Sequence, residues 1–188
     1  HAHTRVGQVV AARLSQHTGI PYVATWHGVF RPNLGRRLWP CTGERTIAIS
    51  EPVQRHLLED FRVPAERVRL IWNGVDVDHF AQRPAAEVLV RFRAQHRIPE
   101  RGPVVGGVGR LASGRVKGFD LLLEAGGLLA QRRSDLTVLI AGDGPRRLFL
   151  EEKARVFGME QRVRFAGTVS DVRLPLGVLD VFIFSSRW

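Results

Sequence analysis

Arg110, Arg115 and Lys117 fall in one loop that carries no acidic residue, between a β-branched apolar run at 104–108 and an apolar stretch at 119–129. Glycines at 109, 114 and 118 let that loop turn tightly and bring its backbone close to a ligand. Cationic side chains on a glycine-rich passage from strand to helix make an anion site. The free N–H groups and the positive end of the helix dipole favour a phosphate, and the cations close over it. Composition singles out one of the three: among 28 Lys plus Arg, only Lys117 and Lys153 are lysines. A lysine sets a compact charge on a flexible stem, which suits a phosphate oxygen. From the loop alone, a phosphate clamp and a solvated basic surface both account for these residues. His27-Gly28 ends a second apolar run, at the position where ligands of open α/β sheets bind. An ordinary hydrogen-bonded histidine at a strand end is the plain alternative. Gly142-Asp143-Gly144-Pro145 has turn chemistry rather than ligand chemistry.

Periodicity predicts the elements that hold these residues. In the first part, a helix over 4–16 stops at Gly19, a strand covers 22–26, and a mixed aromatic and arginine-rich stretch at 30–40 reads as loop or short helix. A strand at 46–50 runs into a helix over 51–61, opened by Ser50 as N-cap with Pro52 in the first turn. A strand at 68–72 ends in the Asn73-Gly74 turn, and 76–84 reads as connecting chain. The pattern then restarts: helix 87–96, strand 104–108, helix 119–131, strand 136–141, helix 146–157, strand 162–165, a short helix at 172–179 broken by Pro175, and a strand at 181–184. Strands alternating with helices at this spacing mean parallel sheets with crossover helices. The boundary between two α/β segments is expected near residues 80–86, dividing the chain into 1–82 and 83–188.

Composition narrows the class. The 188 residues, 44% apolar and 24% charged, are those of a globular chain. No run approaches the ~18 apolar residues needed to span a bilayer. Cys41 is the only cysteine, so no intrachain disulfide forms and a cytoplasmic location fits. The net charge of +10 admits nucleic acid, an anionic membrane surface or phosphorylated ligands. The arginines are scattered, and neither RNP-type aromatics nor zinc-finger spacing accompanies them. His1, His3 and His27 have no metal-ligand spacing, so no metal is expected.

Seven words then line up in order: His27-Gly28 after a strand, GERTIAIS at 43–50, IWNGVDVDHF at 71–80, GVGRLASGRVKGFDLLLEA at 107–125, IAGDGP at 140–145, RVRFAGTVSD at 162–171 and VFIFSSRW at 181–188. Together they resemble the retaining, nucleotide-sugar-dependent glycosyltransferases of family 4 (group 1), which have two Rossmann-like domains of the GT-B type. The resemblance implies that 1–82 is the later part of an acceptor-side domain and 83–188 the earlier part of a donor domain, each present only in part. It implies transfer of a sugar from a nucleotide-diphosphate donor, such as a UDP- or GDP-sugar, to a glycan or lipid acceptor, with no cofactor besides that co-substrate. It assigns the donor diphosphate to Arg110 and Lys117, whose charge would stabilise the leaving nucleoside diphosphate. Thr168, Val169 and Ser170 would lie near the nucleobase, and His27 would approach the donor sugar and acceptor. The family spacing from Arg to Lys is usually shorter; here SGR lengthens it, so Arg115 is a candidate to replace or assist Lys117. The family's Glu-x7-Glu motif would follow Trp188, and the opening strand of the first domain would precede His1. A fragment without transferase activity of its own is therefore expected.

Three further expectations stand beside this one. The segment 30–40, with Phe30, Trp39, Arg31, Arg36 and Arg37, could make a peripheral contact with a membrane at its inner face. Gly107-Val108-Gly109-Arg110-Leu111-Ala112 satisfies G-x-G-x-x-A, the mark of an NAD(P)-binding oxidoreductase, but that reading needs a helix from about Gly109 and an acid ending the next strand. A basic nucleic-acid-binding module rests on net charge alone, and no nucleic-acid partner is expected.

Overall fold

The computed structural model describes residues 1–113 and 117–187, which form two compact units, His1–Val75 and Asp76–Trp188.

The first unit is a parallel three-stranded sheet, β1 (Val23–Trp26), β2 (Arg45–Ala48) and β3 (Val68–Leu70), in that spatial order. Its register pairs Val23 with Arg45 and Thr46 with Val68. Helix α1 (Arg5–Thr18) precedes β1. Its first turn is capped by the Thr4 hydroxyl, which accepts from Gly7 N–H at 3.1 Å, and Gly19 in the left-handed region ends it. Between β1 and β2 lies α2 (Leu34–Leu38), capped by Asn33. Helix α3 (Glu51–Glu59) joins β2 to β3. Ser50 holds its N-cap position without a side-chain capping bond, so Pro52, pre-set for the first turn, does more to start this helix. The core is built from Ala24, Trp26, Ala48, Val53, Leu57, Phe61, Val63 and Val68, where one face of the sheet meets α3.

The second unit is a parallel four-stranded sheet, β4 (Val104–Val108), β5 (Thr137–Ala141), β6 (Val163–Gly167) and β7 (Val181–Phe182), in the order β6-β5-β4-β7. The chain starts at β4, moves outward to β6, then crosses back to lay β7 on the other side of β4. A topological switch point therefore lies beside the carboxyl end of β4, where ligands of open sheets bind. The crossovers are α6 (Phe119–Ala130), α7 (Arg147–Val156) and α8 (Arg173–Val178), with α4 (Val77–Ala81) and α5 (Ala86–Gln95) ahead of the sheet. Successive residues of β5 face opposite sides: Val138 and Ile140 join Leu122, Leu123, Leu150 and Met159 in one core, and Leu139 joins Phe92, Ile98, Val104 and Val178 in the other.

Several elements differ from the sequence expectation. Connecting chain was expected at 76–84, yet α4 forms there because the Asp76 carboxylate accepts from His79 N–H at 2.9 Å. This segment belongs to the second unit, held by Arg173, whose guanidinium donates to the carbonyls of His79 and Gln82 at 3.1 and 3.4 Å. Pro175 does not break α8: it sits in the first turn, where no intrahelical N–H is needed. The last strand is shorter than 181–184, since only Val181 and Phe182 pair with β4. Among the described residues no helix is long and apolar enough to cross a membrane.

Candidate functional site

The loop that leaves β4 is held open by its neighbours rather than by helix. Gly109 N–H donates to Ala141 O at 2.9 Å, Leu111 N–H to Asp143 O at 2.9 Å, and Arg146 N–H to Leu111 O at 3.1 Å. Gly142 N–H in turn donates to Gly167 O at 2.7 Å. These bonds lace the loops after β4, β5 and β6 into one continuous rim along the carboxyl edge. Gly142 has to be glycine, with φ 136 and a Cβ that would collide with the carbonyl of Gly109. The G-x-G-x-x-A word at 107–112 does not open a helix, because α6 begins only at Phe119.

Two features mark this rim. A cavity of about 420 Å³ is lined by Val108, Gly109, Arg110, Gly142, Asp143, Thr168, Val169 and Val172, a size within the range of small-ligand pockets. Beside it lies a crevice bordered by Arg110, Lys117, Gly118 and Arg146, with a volume of only about 10 Å³. Such a crevice is too small to enclose a phosphate, so a diphosphate would lie over the cations rather than between them. Arg110 and Lys117 are both exposed, and Arg110 borders both hollows.

The chain after β7 completes the surroundings of Lys117. Ser185 Oγ donates to the Lys117 carbonyl at 3.1 Å, and Lys117 Nζ lies 5.5 Å from the centre of the Phe184 ring. Gly118 starts α6 in the left-handed region with φ 63, and a Cβ there would collide with Ser185 O. In the first turn of α6, buried Asp120 meets the Arg187 guanidinium at 3.5 Å. The acid on the cavity rim is itself engaged: Asp143 pairs with Arg147 at 3.3 Å, and Arg147 with Glu151 at 2.8 Å. The Glu151 hydrogen bond outweighs desolvation and raises the Arg147 guanidinium further, so the side chain stays charged.

The expected residues divide as follows. Arg110, Lys117, Thr168 and Val169 lie along the same rim. Ser170 is exposed and does not line the cavity. Arg115 lies outside the described residues. His27 stands exposed after β1, in the first unit. Its Nε2 is 3.1 Å from His3 Nδ1 and the two rings stack at 5.3 Å, so one nitrogen donates and the other accepts. Among the described residues no cluster of His, Cys, Asp and Glu is suited to a metal ion. Sequence reasoning missed Arg146 and Phe184. The consecutive arginines after the Gly-Asp-Gly-Pro turn were a signal for the first. For Phe184 the signal was only the strand order, which composition does not reveal.

Comparison with known proteins follows the same division. Residues 1–79 match the family described as Glycosyltransferase Family 4, and residues 102–188 match Glycosyl transferases group 1. Mannosylfructose-phosphate synthase of Agrobacterium fabrum is 30% identical over 76% of this chain and 33% of its own length. The 2-deoxystreptamine glucosyltransferase of Streptomyces kanamyceticus is 29% identical over 94% of this chain and 49% of its own. The crystal structure of Anabaena Alr3699/HepE in complex with UDP-glucose superposes with a TM-score of 0.81 at 24% identity, covering 97% of this chain and 51% of that one. The chain thus spans about half the length, or less, of these relatives.

Proposed function

The chain belongs to the GT-B glycosyltransferases, through the family 4 and group 1 families, and from that premise we propose that the protein transfers a hexosyl group from a nucleotide-diphosphate sugar to an acceptor, with retention of configuration. The observation that carries this reading is the meeting of Arg110 and Lys117 on one crevice at the carboxyl edge of β4, beside the switch point. Their charge neutralises the diphosphate and stabilises it as the glycosidic oxygen departs, an electrostatic task that needs no proton transfer. Arg146 adds a third cation to the same border. The nucleoside takes the adjoining cavity, with Val108, Val169 and Val172 as apolar walls and Thr168 at the rim. UDP bound to a relative of the same fold supports that class of donor. His27 is a catalytic residue, and Arg115 assists the diphosphate.

In the full-length enzyme, Lys117→Ala is expected to lower kcat/KM about a hundredfold, the scale of one lost transition-state donor, while Lys153→Ala stays within about twofold. Equal effects would mean that a surface loop has been mistaken for a clamp. Binding gives a second test: UDP or GDP should raise the melting temperature at fixed ionic strength, whereas NAD and a random oligonucleotide should not.

The acceptor is a glycan or a lipid. For a lipid, the surface of the first unit around α2 supplies a peripheral contact, with Leu34 and Leu38 exposed and Arg36 stacked 4.7 Å over Phe30. Binding to anionic liposomes that survives Arg36→Glu combined with Arg37→Glu removes that part of the proposal.

A further inference from the structure

The first unit holds a buried histidine for which the proposed transfer has no direct use. His56, on α3, is 5% exposed, and both ring nitrogens are engaged. Nδ1 lies 2.5 Å from Asp60 Oδ2, one helical turn along. Nε2 lies 2.8 Å from the carbonyl oxygen of Phe30 and 3.2 Å from its amide nitrogen. The ring is fixed edge-on by Trp26 at 6.3 Å and Phe61 at 5.0 Å, and Trp26 also meets the Phe30 ring at 5.9 Å.

Phe30 matters because of its place in the chain. His27, Gly28 and Val29 form the short passage after β1. Trp26 anchors its near end, paired with Ala48 in the sheet. The far end has no strand or helix to hold it, since α2 begins only at Leu34. His56 is the side chain that ties the backbone there. We infer that His56 is a positioning residue for His27, clamping the main chain of Phe30 so that the His27 loop is held at both ends.

The ring chemistry suits a clamp. With Nδ1–H donating to Asp60, a neutral ring accepts the Phe30 amide on Nε2, and a protonated ring donates from Nε2 to the Phe30 carbonyl. One main-chain group stays bonded in either state. The groups packed on the ring are the aromatic Trp26 and Phe61 and the Asp60 carboxylate, which orients Nδ1–H in both. The inference rests on the reading of His27 as catalytic, and its test separates the two.

Two substitutions of similar polarity differ in reach. In His56→Gln the amide extends to the Nε2 position and offers both a donor and an acceptor to Phe30. In His56→Asn the amide stops at the Nδ1 position and serves Asp60 alone. In the full-length enzyme, His56→Asn should lower kcat about tenfold or more with donor KM within about twofold, while His56→Gln keeps kcat within about threefold, as expected when a reacting group is displaced by about an ångström. Amide hydrogen exchange at Phe30 should quicken in His56→Asn and stay near wild type in His56→Gln. Equal kcat in the two variants, together with unchanged exchange, overturns the clamp. If His27→Ala proves fully active, the catalytic reading of His27 fails on its own, and the exchange measurement alone decides the clamp: quickened exchange keeps it, unchanged exchange ends it.

Discussion

At the scale of single residues, Asp171 shows how the rim of the cavity is kept in shape. It follows Thr168 and Val169, and its carboxylate accepts from the Arg173 guanidinium at 2.8, 3.0 and 3.2 Å and from Arg173 N–H at 2.9 Å. The guanidinium hydrogen bonds, with the backbone bond behind them, hold the Asp171 carboxyl below its ordinary range. A carboxyl whose folded value is depressed contributes stability above its unfolded value of about 3.9, and that stability is lost as the pH falls through the folded value. The melting temperature should therefore drop below about pH 4, and Asp171→Asn should lower it at pH 7 while flattening the acid limb. An acid limb as steep in the variant as in the wild type would assign the effect to other carboxylates. The same residue explains part of what sequence could read. Asp171 was visible as the end of a familiar word, but its partner lies on α8 and also grips the α4 segment, a link that no local pattern contains.

At the scale of elements, the joint between β4, α6 and β7 governs where Lys117 stands. Gly118 combines a left-handed backbone with close passage under Ser185, and a Cβ would violate both conditions. Gly158 shares the conformation, with φ 65, but has open space around its Cβ position. Gly158→Ala should thus cost about 1 kcal/mol from the left-handed conformation alone, and Gly118→Ala about 1–3 kcal/mol more, because the segment after β7 must move. Urea unfolding of both variants measures the difference, and equal losses would show that the segment around Ser185 yields freely. Elements with strong periodicity were legible: α1, α6, α7 and the strands of both sheets follow from apolar runs closed by glycine or capped by Thr4. The fit between elements was not. That Phe184, Ser185 and Arg187 would meet Lys117, Gly118 and Asp120 depends on β7 crossing back beside β4, and strand order is set by tertiary packing rather than by any run of residues. The consecutive arginines drew attention to Arg146, but not to its place, since it reaches the crevice only because the loop after β5 is bonded to Leu111.

At the scale of the whole molecule, each unit closes its own sheet over its own core among the described residues. Every described group assigned to the donor nucleotide, Arg110, Lys117, Arg146 and the cavity at Thr168, belongs to the second unit. A polypeptide of residues 76–188 should then bind UDP or GDP as tightly as the 188-residue chain. Ligand at a hundred times its Kd should stabilise both by about 2.7 kcal/mol, and residues 1–75 alone should not respond. The comparison must be made at more than one salt concentration, because a chain with net charge +10 attracts any polyanion. Binding that depends only on charge weakens steeply with salt and does not distinguish a nucleoside diphosphate from an oligonucleotide, whereas a site that also buries a nucleoside keeps its preference. Stabilisation of the 188-residue chain but not of 76–188 would show that the first unit supplies part of the nucleotide site, and the assignment of the diphosphate to the loop after β4 would have to be redrawn around it.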